Sequence, residues 1–482
     1  MKEKKVFVSG NFNILHPGHL RLLQFAKNLG KYLVVGVNAD NIAGKAAFIK
    51  QNLRMNNIKN LDFVDKVILI KNLEKSILSE SPDIVVKGKE FRYQNNSESE
   101  IVKKIKSKLV FSSGENRYSS ASLFKKEILL NDEINIDQTK EYLKRNRINI
   151  NNINKKINLI KNLKICVIGD IIIDEYINSN VLGLSNEEPC IVLNPVSKKR
   201  FLGGAGIVAS HASSLGAETY LFGIIGGDDN AKFVIKELKK NKVKANLQRD
   251  IIRPTTLKQR FKVENKSQLK VSYLSQEPIS IEIQEKLLSE LKKILNKIDL
   301  LIFSDFNYGC LPQKLVDEIL KITKNKKLII SADSQSSSQI GDISRFTDAD
   351  LITPTEKEAR ISVKNNTDGL VVLTDKLQKI SKTKNIILTL NSEGILIYKK
   401  LKKDNDFRVD KLPALNTRPK DISGSGDSLL IMSSISLSLG LSIWEASWVG
   451  SLFAALQSST IGNQPIKLVD LKNLLKKINK KK

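Results

Sequence analysis

The chain has 482 residues, room for two or three domains at roughly 150 residues each. Hydrophobic residues make up 41% and charged residues 27%, a globular balance that excludes disorder as the main state. Three cysteines without CxxC or metal-type spacing exclude a readable disulfide framework or zinc site and fit a reducing cytoplasm; the net charge of +28, spread along the chain, points to anionic substrates ahead of a polyanion-binding face.

The apolar stretch after MKEKK is shorter than the roughly 7–15 residues of a signal peptide's apolar region, so export is not expected. Lys5–Ser9, Tyr32–Val37, Lys66–Ile70, Ile84–Val86 and Leu109–Phe111 read as strands with helices between them, which predicts a parallel sheet covered on both faces. Residues 141–164, rich in Asn and Lys, read as a connector leading into a helix, with a domain boundary near residue 140. A second α/β pattern follows in Lys164–Ile168, Thr219–Ile225, Leu300–Ser304, Lys327–Ala332, Leu351–Thr353 and Ile386–Thr389. Within it, Gln259–Val263 and Leu269–Tyr273 alternate as a half-exposed antiparallel hairpin, expected as a lid over a cleft. The membrane-like run Leu429–Leu456 is broken by Gly440 and Glu445, and predicts two buried helices rather than a span.

In the first half, VFVSGNFNILHPGHLRLLQFAK runs from strand through loop to helix, with Pro17 suited to the first helical turn. Two of the three histidines, His16 and His19, flank that turn. Unpaired N–H groups and the positive end of the dipole, with two imidazoles beside them, make a phosphate site. The segment SGNFNILHPGHLRLL resembles the HxGH nucleotidyltransferases, whose pattern is GxFDxxHxGH, over roughly residues 1–130. The resemblance implies a phosphorylated substrate that attacks the α-phosphate of ATP or CTP and expels pyrophosphate. It implies that Gly10, Asn11 and Phe12 line the nucleotide site while His16 and His19 stabilise charge on the triphosphate. PDIVVKGKEF matches the family's PDxxVKGxDY and implicates Lys87 in phosphate contact; GENRYSSASL stands at its STT-type helix start and implicates Ser119 and Ser120. Arg54 matches an arginine of the family. Three departures bear on rate and nucleotide preference: Asn13 replaces the family's aspartate, Ala121 its second threonine, and the loop GKAAF is shortened.

Near the other end, DISGSGDSLL is a glycine-rich turn opening an apolar helix, which presents N–H groups to an anion beside an aspartate able to take a hydroxyl proton. With ICVIGDIIIDEY and FLGGAGIVASHASSLGA it resembles the ribokinase-like carbohydrate kinases over about residues 160–465. SNEEPCIVL, RPTTLKQRF and SDFNYGCL are similar to SPEAPVPVV, HPTITKLRV and SDYxKGxL of the heptose-7-phosphate kinase domain that, in bacterial lipopolysaccharide core synthesis, shares a chain with an HxGH nucleotidyltransferase in the opposite order. The resemblance implies Asp427 as base, Gly424, Ser425 and Gly426 as anion hole, Asp174, Gly203 and Gly204 as sugar contacts, Thr389 and Gly394 along the ATP cleft, and Glu358 ordering Mg²⁺ through water. Ile207, Thr355 and Tyr308 replace an asparagine, an asparagine and a lysine of the family; His211 is expected to pack rather than catalyse.

These readings imply a cytoplasmic, bifunctional ATP-dependent sugar-phosphate kinase and nucleotidyltransferase of α/β class. A Rossmann-like domain (1–140) would precede a ribokinase-like domain (141–482) with a small β lid. Sugar phosphates and nucleoside triphosphates are the expected partners rather than nucleic acid or membrane, and oligomeric state is open, a homodimer included. Two rivals remain: a nucleotidyltransferase whose kinase-like domain only binds ligand, favoured by Ile207, Thr355 and Tyr308, and a basic nucleic-acid-binding protein, resting on charge alone.

Overall fold

The computed structural model describes residues 4–480 except 14, 16, 45–46, 48, 89–96, 113–133, 136, 265, 337–340 and 402–405. The chain divides into two compact units, residues 1–132 and 133–482.

In the first unit, strands β1 (Lys5–Gly10), β2 (Tyr32–Asn38), β3 (Lys66–Ile70), β4 (Ile84–Gly88) and β5 (Lys108–Ser112) form a five-stranded sheet in the order β3-β2-β1-β4-β5, all pairs parallel. Alternation along β1 sends Val6 and Val8 into one apolar cluster and Phe7 into another, so the strand is buried on both faces as a doubly wound sheet requires. Strand order reverses between β1 and β4. In open α/β sheets, ligands bind outside the carboxyl ends of the strands at such a point.

The second unit opens earlier than the expected break near residue 140, because the preceding segment is built into it. Ile134 bridges Asn416, and Tyr142 donates to the Trp444 carbonyl at 2.8 Å. The expected connector is a pair of helices, Lys140–Arg145 and Ile150–Ile157. Its asparagines serve capping: Asn149 Oδ1 accepts from the N–H groups of Asn151 and Asn152. Ile150, Ile153 and Ile157, at helical spacing, enter the largest core.

The main sheet of this unit comprises β6 (Lys164–Gly169), β9 (Glu218–Ile225), β10 (Lys244–Arg249), β13 (Leu300–Asp305), β14 (Ile329–Ser334), β15 (Leu351–Ile352), β16 (Asn385–Thr389), β17 (Ile395–Lys400) and β18 (Phe407–Leu412). Their order is β10-β9-β6-β13-β14-β15-β16-β17-β18. It is parallel up to β16, and β17 and β18 close it antiparallel. Ile165 and Val167 point into one core and Cys166 and Ile168 into the other. A separate four-stranded sheet, β12-β11-β7-β8, is the lid: β7 (Ile171–Leu184), β8 (Ile191–Gly204), β11 (Leu257–Val263) and β12 (Lys266–Tyr273). The expected hairpin is its outer half, β11 paired antiparallel with β12, and β11 joins β7 in parallel. The apolar run near the C-terminus forms two buried helices, Ser425–Ser438 and Ile443–Ser458, parted at Gly440 (φ +75°). Among the described residues no helix is long and apolar enough to cross a membrane.

This division predicts separability. Expressed alone, residues 1–132 and 133–482 are each expected to give one cooperative thermal transition. Aggregation of both alone, relieved on co-expression, would show instead that each needs the other to fold.

Candidate active site

At the carboxyl ends of β1 and β4 the first unit gathers Asn11, Asn13, Arg54 and Lys87. Arg54 is fully buried in helix Gln51–Lys59 and tethers three separate segments: Nη1 donates to the Asn11 carbonyl (2.6 Å), Nε to the Ile49 carbonyl (2.7 Å), and Nη2 pairs with Asp40 (2.5 Å). Its guanidinium therefore organises the loop after β1. Asn38 Nδ2 donates to Asn11 Oδ1 (2.8 Å), and the Ile49 N–H donates to Asn13 Oδ1 (3.4 Å), so Asn13 is buried in the aspartate's place and fastens the shortened loop. Lys87 pairs with buried Glu98 at 2.6 Å. Phe12 adopts φ +46°, buries its ring and meets the His19 ring edge-on at 5.2 Å; a Cβ on Gly10 would stand 3.0 Å from that same Phe12 ring. His16, Ser119 and Ser120 lie outside the described residues.

The second unit draws Asp174, Gly203, Gly204, Gly424 and Asp427 together. Asp174 on β7 pairs in register with Phe201, which brings Gly203 on β8 close: a Cβ there would collide with the Asp174 carboxylate. Arg260 Nη2 on β11 donates to Asp174 Oδ1 (3.2 Å), and Asn463 Nδ2 donates to Oδ2 (2.9 Å). Gly424, at φ +76°, caps helix Ser425–Ser438 in a left-handed conformation that a side chain would strain. Ser425 N–H closes a turn onto the Ile422 carbonyl (3.3 Å), so the Ser425 amide expected in an anion hole is engaged here; nothing stands within 4 Å of where Gly426 would carry a Cβ.

Asp427 lies in the first turn of that helix, 5% exposed, with Oδ1 lacking any hydrogen-bond partner. Burial, reinforced by the charge of Asp174 and opposed by Lys258, pushes its pKa up to about 7. Lys258 on β11 stands over the Phe306 and Tyr308 rings at 5.0 and 4.9 Å. Tyr308 is buried, its loop held by Asp170, whose carboxylate accepts from the N–H groups of Phe306, Tyr308 and Cys310. The lid also reaches the glycine turn through Asp421: Tyr176 donates to Asp421 Oδ2 at 2.7 Å, and Lys262 lies 4.0 Å from it.

A cavity of about 490 Å³ is lined by Ser336, Thr355, Glu358, Thr389 and Asn391 among others, within the size range of small-molecule sites. Gly394 does not line it; at φ +96°, its missing Cβ makes room for the Leu412 carbonyl. Thr355 caps helix Glu356–Val363 in a reciprocal box with Glu358. Both Glu358 oxygens accept backbone N–H groups, from Ser336 (2.8 Å) and Thr355 (2.7 Å). Asp333, at the end of β14, escaped sequence reading; burial, then the charges of Glu358 and Asp427, raise its pKa well above the usual carboxylate range. Among the described residues no group of three or more His, Cys, Asp or Glu could hold a metal directly. His211 is fully buried between Ser428 Oγ and the Ile466 N–H, both at 3.2 Å, and burial lowers its pKa to about 3: a neutral packing residue.

Comparison with known proteins places two families on the chain. The model described as pfkB family carbohydrate kinase matches residues 162–466, and that described as cytidylyltransferase-like matches residues 7–145. The Bifunctional protein HldE of Helicobacter hepaticus is 28% identical over 307 residues, 63% of this chain; the chain spans about 62% of that curated relative's length. Among solved structures, a ribokinase from Thermotoga maritima matches with TM-score 0.51 and 19% identity, covering 65% of this chain and 99% of that one. Phosphofructokinase-2 from Escherichia coli, in complex with substrates and products, matches with TM-score 0.54 and 14% identity, covering 66% and 99%. At these identities the likeness shows a shared fold.

Proposed function

Because the chain belongs to the pfkB family of carbohydrate kinases and carries a cytidylyltransferase-like domain as well, we propose that it phosphorylates a sugar phosphate at its anomeric hydroxyl and then transfers a nucleotidyl group to that new phosphate. The observation that carries this reading is Asp427, a buried carboxylate with a free oxygen and a pKa near 7 at a glycine-rich helix start. In the first reaction the sugar hydroxyl gives its proton to Asp427 while its oxygen bonds the γ-phosphorus of ATP, and the bond to ADP breaks. The Gly424 and Gly426 amides and the helix dipole meet the charge on the transferring group, the Ser425 amide being held by the Ile422 carbonyl. Asp174, Gly203 and Gly204 hold the sugar, and ATP extends along Thr389. Glu358, its oxygens engaged by backbone, and Asp333 would order a hydrated Mg²⁺ through its water shell, and that ion would supply charge neutralisation to the triphosphate.

In the second reaction an oxygen of the sugar 1-phosphate attacks the α-phosphorus of ATP or CTP and pyrophosphate leaves. Gly10, Asn11 and Phe12 shape that site, with Lys87, His16, His19, Ser119 and Ser120 on the phosphates. A heptose 7-phosphate is the leading sugar, from the motif likeness and the HldE relative, and an NDP-heptose for surface polysaccharide, made in the cytoplasm, is the product class.

A second reading has its own observation: Ile207 is fully buried and offers a sugar no hydrogen bond, which favours a kinase-like domain that binds ligand without turnover. A panel of sugar phosphates with ATP and CTP, read by ADP and pyrophosphate release and by mass spectrometry, decides between them. The bifunctional reading expects ADP release with at least one sugar phosphate, and a nucleotide sugar from the coupled reaction. Pyrophosphate release from sugar 1-phosphates, with no ADP release on any sugar, selects the second reading.

A further inference from the structure

The polar contact absent at Ile207 has a counterpart in the loop after helix Ile443–Ser458. Asn463 is 5% exposed, and its Nδ2 donates to Asp174 Oδ2 at 2.9 Å. A carboxylate only accepts, so this bond fixes the amide orientation and leaves Oδ1 as an acceptor. Oδ1 has no hydrogen-bond partner and is aimed at Gly424, where a Cβ would collide with it. It therefore stands at the start of the helix that carries Asp427, whose first turn holds two other buried atoms without partners, Asp427 Oδ1 and Ser425 Oγ. Its backbone is preset: the Gly462 N–H donates to Asp421 (3.0 Å), and Gln457 Nε2 donates to the Gly462 carbonyl (3.0 Å).

A buried acceptor without a donor is costly to keep and is satisfied by a ligand that brings one. Phosphate oxygens bring none; a sugar hydroxyl does. We infer that Asn463 is a sugar-contacting, specificity-determining residue of the kinase site: Nδ2 holds Asp174 in place, and Oδ1 accepts a hydrogen bond from a sugar hydroxyl neighbouring the one phosphorylated. The inference rests on the kinase reading above. It supplies the sugar recognition that Ile207 cannot, from a residue on a different element.

The test uses the full chain and follows ATP consumption with heptose 7-phosphate, mannose 6-phosphate and fructose 6-phosphate in wild type, Asn463→Ala and Asn463→Ser. The expected result is a rise of about tenfold to a hundredfold in KM for the preferred sugar phosphate, no change in KM for ATP, and narrower discrimination among the three sugars. A folded variant with unchanged sugar KM overturns the inference, as does an equal rise in KM for ATP. Should Asn463→Ala fail to fold, Asn463→Ser, which keeps a polar side chain but whose shorter reach withdraws the acceptor from the helix start, carries the same expectation. If wild type consumes no ATP with any sugar, the kinase reading fails separately, and calorimetric binding of heptose 7-phosphate then decides this one. Weaker binding by Asn463→Ala supports the contact; equal binding, or none by wild type, overturns it.

Discussion

Asp427→Asn is expected to lower sugar-dependent ATP turnover by about 10²- to 10⁴-fold, the range a positioned general base contributes, while nucleotidyl transfer is unchanged. The substitution keeps the size of the side chain and removes its charge and its capacity to take a proton. The pH dependence follows from the same burial. With its pKa pushed up to about 7, Asp427 is protonated and inactive as a base below that value, so kcat/KM should rise with pH and level off above about 7. Lys258 opposes the upward shift, so Lys258→Met should move the inflection to higher pH. A profile flat between pH 5.5 and 8.5, or an Asp427→Asn protein as active as wild type, would remove Asp427 from the reaction.

The same group makes a statement about stability with the opposite sign. A carboxyl whose folded pKa stands above its ordinary 3.8 is more easily ionised unfolded than folded. Its contribution is fully present below about pH 4 and lost as pH rises through about 7. Asparagine resembles the protonated form at every pH. Asp427→Asn should therefore match wild type in thermal midpoint near pH 4 and exceed it at pH 8. Activity and stability pull against each other at this residue, as they do where a charge is buried for chemistry.

Much of the architecture was legible because parallel strands buried on both faces advertise themselves as short apolar runs. Lys66–Ile70 matches β3 residue for residue, and Lys164–Ile168 falls one residue short of β6. The lid strands β7 and β8 were missed for the complementary reason. IIIDEYINSNVLGL begins buried on both faces and ends exposed, so neither helical nor strand periodicity holds along it. The hairpin of β17 and β18 was missed as well, its YKK and FRVDK ends being too polar to separate from loop. Within the site, glycine turns and their neighbouring aspartates were readable because so few residues tolerate such backbone. Asn463, Asp333 and Lys258 were not singled out, because each acts from an ordinary position on an element distant in sequence. Arg54 shows the limit of motif matching: the residue type was expected, but its three tethers, to Asn11, Asp40 and Ile49, come from segments that only the fold brings together.

His19→Ala, and independently His16→Ala, are expected to lower nucleotidyl transfer by about 10²-fold or more, comparable to removing one donor aimed at developing negative charge. The setting supports the magnitude for His19. It lies in the first turn of helix Pro17–Asn28, at the carboxyl end of β1 where strand order reverses, a position at which a helix start can offer N–H groups to a phosphate. Its ring rests edge-on against Phe12, a residue held at positive φ and buried, so the imidazole is braced by a part of the loop that has little freedom. Electrostatic help of this kind is effective when the donor is already in place before charge develops on the phosphate. The loss should therefore fall on kcat for sugar 1-phosphate and nucleotide more than on KM. The measurement is pyrophosphate release from sugar 1-phosphate with ATP or CTP, beside ADP release by the kinase half of the same preparation. Normal pyrophosphate release by both variants would take the histidines out of the reaction, whereas loss of the first unit's own thermal transition in the variants would trace the defect to folding rather than to phosphate chemistry.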